Sequence, residues 1–174
     1  MKRLVLLRHA KAEPAGSGID DRKRELLPRG RDDSSAMGKH LARRNIAFDL
    51  ILSSSARRSV DTLERICGQL PATQRIEILD ALYLAAPREL LATIRSVAEN
   101  VKTLMLIGHN PGVEQLAASL AREPVKRKER DYFDLIGEKF PTGAMVVLDF
   151  SLRRWRDIGP SQGKLIDFVR PRDL

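Results

Sequence analysis

Two short aliphatic runs, Leu4-Val5-Leu6-Leu7 and Leu104-Met105-Leu106-Ile107, constrain this chain more than any other feature. Neither run has a polar residue on either alternating face, so each predicts a strand buried inside a sheet. Around them, strand-like and helix-like stretches take turns. Residues 3–8 predict a first strand, and PRGRDDSSAMGKHLARRN (28–45) predicts a helix, with Met37, Leu41 and Ala42 at helical spacing. Phe48–Leu52 predicts the second strand, followed by a helix over 56–69, a short strand over 75–79 and an amphipathic helix over 87–100 opened by Pro87. A strand over 103–107 leads into the helical PGVEQLAASLARE, and residues 143–171 predict two strands joined through Gly159-Pro160 and Gly163. This alternation predicts a three-layer α/β/α sandwich with a mostly parallel central sheet and an antiparallel edge strand. No repeat, low-complexity tract or linker interrupts it, and 174 residues suit one domain spanning 1–174.

The hydrophobic fraction of 43% suits a globular chain, and no apolar run approaches a membrane span. Lys2-Arg3 and the apolar residues after them imitate a signal peptide, but Arg8, His9, Lys11 and Glu13 cut the run short. The lone Cys67 permits no internal disulfide and, within a helical stretch, reads as a packed small hydrophobe. A cytoplasmic protein with no membrane partner is expected. The net charge of +8 calls for an anionic partner: nucleic acid, a membrane surface or a phosphorylated substrate. The densest basic run, VKRKERDYF (125–133), is interrupted by Glu129 and Asp131 and has no nucleic-acid motif beside it. Aromatics at 5% are too few for stacking platforms, so the run reads as a solvated loop or helix face and no nucleic-acid partner is expected.

In open α/β sheets, sites form where strands end at their carboxyl edge. Here the first strand ends in Arg8-His9 and the second in SSSARRS, with Ser54, Arg57 and Arg58. Asp80 and Tyr83 follow the third, and the fourth runs into Gly108-His109-Asn110-Pro111-Gly112. Two of the three histidines thus stand at strand ends, while His40, in a helix among charged residues, reads as a surface residue. The serines before Ala56 are N-cap candidates. Asn110 reads as another, with Pro111 at the first helical position. Helix starts and arginines both attract phosphate. A zinc site would need three or four ligands, and neighbouring guanidinium groups would repel a dication, so no metal and no cofactor are expected. Phosphoryl transfer to one histidine, with the other donating to phosphoryl oxygens, needs only positioned charge. A structural histidine is the alternative for either alone; the combination favours chemistry.

LLRHAKAE, LILSSSARRSVDT and LIGHNPGVEQL resemble the signature motifs of the histidine phosphatase superfamily. DDRKRELLPRG and FPTGAMVVLDF resemble its small, SixA-like branch, and the likeness covers nearly the whole chain. The resemblance implies His9 as a nucleophile that becomes phosphorylated, with Arg8, Arg58 and His109 holding phosphoryl oxygens. In the second motif Ser54, Arg58 and Thr62 match, Arg57 is left as a neighbour, and Ser55 replaces the usual proline. The resemblance assigns the proton donor's place to Asp80, which as a bare residue reads equally as a helix cap or a loop acid. Ser54, Asn110, Lys11 and Arg24 are further candidates for holding substrate. The chain has no room for the helical insertions of larger relatives. That favours a phosphohistidine-bearing protein as substrate over a small phosphomonoester or nucleotide. From another class, a basic polyanion-binding module on a retired fold is the remaining alternative.

Overall fold

A computed structural model describes residues 1–174 apart from Ser17, Thr73 and Gln74. Six strands form one sheet: β1 (Lys2–Arg8), β2 (Leu50–Ser54), β3 (Arg75–Leu79), β4 (Thr103–Gly108), β5 (Met145–Phe150) and β6 (Lys164–Val169). Their spatial order is β3-β2-β4-β1-β5-β6. The first four strands in sequence are mutually parallel, and β5 runs antiparallel to both β1 and β6. The antiparallel pairing expected at the edge is therefore present. The strand running against the rest is β5, one place in from the edge.

The aliphatic runs explain the layering. Leu4, Leu6, Leu104 and Leu106 enter one core, and Val5, Leu7, Met105 and Ile107 enter the other, as a repeat of two demands. The second core is covered by α1 (Pro28–Arg43) and α2 (Arg57–Cys67), through Met37, Leu41, Leu63 and Ile66. The first core is covered by α3 (Pro87–Arg95), α4 (Gly112–Leu120) and α5 (Arg127–Glu138), through Leu90, Ile94, Val113, Leu116 and Ile136. Cys67 packs at the margin of the second core, and burial raises its thiol pKa, as suits an inert hydrophobe.

Several sequence expectations change here. The helix expected over 87–100 stops at Arg95, where the Ser96 hydroxyl donates to the Thr93 carbonyl and turns replace the helix. Neither the serines nor Asn110 caps a helix: Ala56 and Pro111 occupy the cap positions of α2 and α4, with no side-chain cap. The basic run is the solvated helix face expected, at the start of α5, except that Glu129 is buried, accepting from Arg122 and from the Val125 N–H. That acid fastens the helix instead of merely diluting its charge. His40 is half-buried against Asp167 at 3.8 Å, and burial lowers its pKa. Among the described residues, no helix is long and apolar enough to cross a membrane.

Candidate active site

The register of β1 against β4 pairs Arg8 with Gly108, so the two strands end level. The His9 N–H donates to the Gly108 carbonyl at 3.0 Å, and the rings of His9 and His109 then lie 5.1 Å apart between centroids. On the other side of β4, β2 ends at Ser54 and sends α2 back over the sheet, with Arg58 in its first turn. Thr62, one turn beyond, locks this arrangement. Its hydroxyl accepts from the Ala10 N–H at 3.0 Å and donates to the Arg58 carbonyl at 2.7 Å. The turn before β5 closes the fourth side, where the Gly143 N–H reaches the carbonyls of Arg8 and His9.

These four elements surround a pocket of about 290 Å³ lined by Arg8, His9, Lys11, Arg24, Arg58, His109 and Asn110, among others. Its hydrogen bonds fix the state of each ring. His9 Nδ1 lies 2.8 Å from the Ala10 carbonyl, which only accepts, so Nδ1 carries the proton and Nε2 holds the lone pair. That Nε2 accepts from Arg58 Nε at 3.3 Å. His109 Nδ1 accepts from Arg58 Nη2 at 3.3 Å, so its Nε2–H donates to Ser54 Oγ at 2.7 Å.

Burial, with His109, Arg58 and Arg8 adding to it, pushes the His9 pKa down to about 3. Burial and then Arg58 push His109 down to about 4. Both rings are neutral at pH 7, and His9 Nε2 is an unprotonated nitrogen facing cationic donors. One of these, Arg8, anchors Nη1 on the Phe140 carbonyl at 3.0 Å, while its buried Nε has no partner among the described residues. An orphaned cationic donor in a polar pocket is suited to an anion's oxygen.

Asp21 carries more of the site than its sequence context suggests. Its backbone carbonyl accepts from Arg58 Nη1 at 2.6 Å, and its carboxylate accepts from the Tyr83 hydroxyl, Arg24 and Arg58. The Tyr83 hydrogen bond leads the effects that hold its pKa well below the usual carboxylate range. Asp20 and Asp21 are adjacent acids, and only the tertiary fold distinguishes the one that aims Arg58. Arg24 reaches the same cluster through Asp21 and the Glu13 carbonyl. Lys11 lines the pocket with its side chain exposed. Asn110 donates Nδ2 to Phe140 and Glu114, leaving its buried Oδ1 unpartnered among the described residues.

Asp80 stands apart from this group. Its side chain is 80% exposed, accepts from Ser55 and Arg22, and does not line the pocket. Those two partners, Ser55 first, lower its pKa, so near pH 7 it is an acceptor with no proton to give. Arg57 also points away: its side chain is more than half exposed and pairs with Asp61 at 2.8 Å. Leu84, an exposed leucine at φ 49° on the pocket rim, was not singled out by the sequence.

The buried neutral histidines make folding stability sensitive to acid. In the unfolded chain they protonate near pH 6.5, and in the folded chain only near pH 3 and 4. The unfolded state therefore binds more protons across that window, and stability falls as pH falls. Between pH 7 and pH 5 the loss is about 2 kcal/mol for each histidine. Urea unfolding at the two pH values measures it, and His109→Gln removes about half. Equal stability at pH 5 and pH 7 would show that the rings are not held neutral.

A mostly parallel α/β sheet with two histidines and an arginine at its strand ends, and a second arginine in the helix turn beside them, defines a phosphatase of the histidine type. Comparison with protein families matches residues 4–83 to the histidine phosphatase superfamily (branch 1). An uncharacterised Mycobacterium tuberculosis protein, Rv1276c, is 34% identical over 166 residues, covering 95% of this chain and all of that protein. A candidate phosphohistidine phosphatase SixA of Agrobacterium tumefaciens superposes with a TM-score of 0.78 at 31% identity, over 98% of each chain. One from Nakamurella multipartitia superposes with a TM-score of 0.83 at 27% identity, over 98% of this chain and 96% of that one. The chain belongs to the histidine phosphatase superfamily.

Proposed function

We propose that this phosphatase works without a metal ion, through a phosphohistidine formed on His9, and that its substrate is a phosphohistidine on another protein. One observation carries the mechanism: His9 Nε2, fixed as the lone-pair atom of a neutral ring, faces Arg58 in a pocket also lined by Arg8 and its unpartnered Nε. In the first step Nε2 attacks phosphorus, and the bond from phosphorus to the substrate's ring nitrogen breaks, the electron pair leaving with that nitrogen. In the second, water attacks the phosphoryl group and loses a proton to solvent. The phosphorus–Nε2 bond then breaks and its pair returns to His9. Arg8 and Arg58 hold the phosphoryl oxygens throughout. The arriving dianion favours protonation of His109 Nδ1, which changes from an acceptor of Arg58 to a donor to the phosphoryl group.

The carboxyl groups support this substrate class. Asp21 and Asp80 are held ionised, and Glu13 is committed to the Glu25 N–H at 2.9 Å. None is placed as a carboxylic acid ready to protonate an alkoxide. A phosphorylated imidazole needs no such acid, because its other ring nitrogen takes a proton from solvent and the ring leaves neutral. The arginines beside both histidines also disfavour a dication, which accords with metal-independent chemistry. The names of the two SixA-like structures point the same way.

The test compares a phosphohistidine-labelled protein with an aryl phosphate, both in excess chelator. The labelled protein should be hydrolysed with a kcat/KM at least about 100-fold higher, undiminished by chelator. Equal values would remove the protein substrate from the proposal. Loss of activity in chelator would remove the metal-independent mechanism.

A further inference from the structure

A second cavity, of about 250 Å³, adjoins the catalytic pocket and shares Lys11 and Thr142 with it as a common wall. Its other charged lining residues are Arg29, Lys139, Arg170 and Arg172, against a single acid, Asp33. They come from distant parts of the chain: the loop after β1, the start of α1, the end of α5 and the segment after β6. Two of the cations are partly neutralised, Arg170 by Asp173 at 2.9 Å and Arg29 by Asp33 at 3.8 Å. Lys11, Lys139 and Arg172 have no ion-pair partner among the described residues.

The walls are packed, so the cations are gathered by the fold. A Cβ on Gly30 would lie 2.0 Å from the Lys11 carbonyl oxygen, so α1 rests directly on that backbone. Gly143, at φ 76°, brings the turn before β5 so close to Pro171 that a Cβ there would meet it at 2.8 Å. The same turn bonds to the carbonyls of Arg8 and His9, tying the second cavity to the catalytic strand end.

We infer that this cavity is a second anion subsite, which takes a carboxylate or phosphate carried by the substrate beside its phosphoryl group. Lys11, Lys139 and Arg172, in no ion pair among the described residues, concentrate positive potential around a small concavity, and a substrate reaching past Lys11 and Thr142 would meet both sites. The inference rests on the phosphatase reading and adds to it. The second anion is either an acidic side chain flanking a protein's phosphohistidine or a second phosphate on a small molecule.

Two substrate pairs distinguish these sources. The first is a pair of phosphohistidine peptides of equal length, one with neutral and one with acidic flanks. The second is phenyl phosphate and para-phenylene bisphosphate. For at least one pair, the wild type should show a KM about tenfold lower for the member with the second anionic group. A Lys139→Glu/Arg172→Glu variant should lose that preference. An Arg127→Glu/Arg130→Glu variant, which changes net charge equally at the far end of α5, should keep it. No preference in the wild type, or the same preference in the Lys139/Arg172 variant, overturns the subsite. If both peptides are refused while the bisphosphate preference still responds to the variant, the protein substrate fails. The subsite then stands, with phosphate as its ligand.

Discussion

His9→Ala is expected to lower kcat/KM by at least about 10⁴-fold and to abolish phosphate labelling of the enzyme. The size follows from the geometry. Nε2 is a lone pair held by a fixed tautomer and aimed beside Arg58, on the strand end whose motif resembles the family's nucleophile. His109 presents its own lone pair, Nδ1, to Arg58 at the same 3.3 Å, with its Nε2–H held by Ser54, so the His9 variants also test which ring becomes phosphorylated. Rapid-quench labelling should detect acid-labile, base-stable phosphate on the wild type and none on the variant. His9→Gln, which keeps more of the side-chain volume, separates chemistry from packing, with circular dichroism checking the fold of both. Activity within tenfold of wild type in either folded variant would eliminate His9 as nucleophile.

Arg58→Ala should cost about 10³-fold in kcat/KM, and Arg58→Lys should recover only part of it. The Arg58 side chain is only 1% exposed and spans the site, donating to His9, His109 and both the carbonyl and carboxylate of Asp21. Lysine offers a point charge without the planar fork, so it cannot serve both rings and Asp21 together. The adjacent Arg57→Ala should stay within about threefold of wild type, since a surface pair such as Arg57 and Asp61 contributes little. Steady-state kinetics on the three variants decide which arginine works. Equal losses at Arg57 and Arg58 would refute the assignment.

How much of this was legible beforehand differs from residue to residue. Pairing of Arg8-His9 with His109 was readable because a buried parallel strand must surface at its carboxyl end, and apolar runs mark such strands plainly. Arg58 could be separated from Arg57 only by resemblance to a motif, and the structure gives the physical ground, one arginine buried and the other paired at the surface. Asp21 was hidden because its partners Arg58 and Tyr83 lie 37 and 62 residues away. The serine caps failed because α2 begins after them: Ala56 takes the cap position, and Ser54 Oγ, which also accepts from His109, reaches only the Ala56 N–H at 3.3 Å. Asp80 was placed by its position after a strand, but the Ser55 hydroxyl and the Arg22 guanidinium that lower its pKa come from 25 and 58 residues away.

Taken by itself, the sequence determined the layered α/β fold and the strand ends that carry the histidines, because periodicity and apolar runs are local properties. Tertiary structure decided which acid aims the arginine, which ring nitrogen holds the lone pair, and that cations from four distant segments enclose a second cavity. Those outcomes depend on burial and on hydrogen bonds between elements far apart in the chain, which no local pattern encodes.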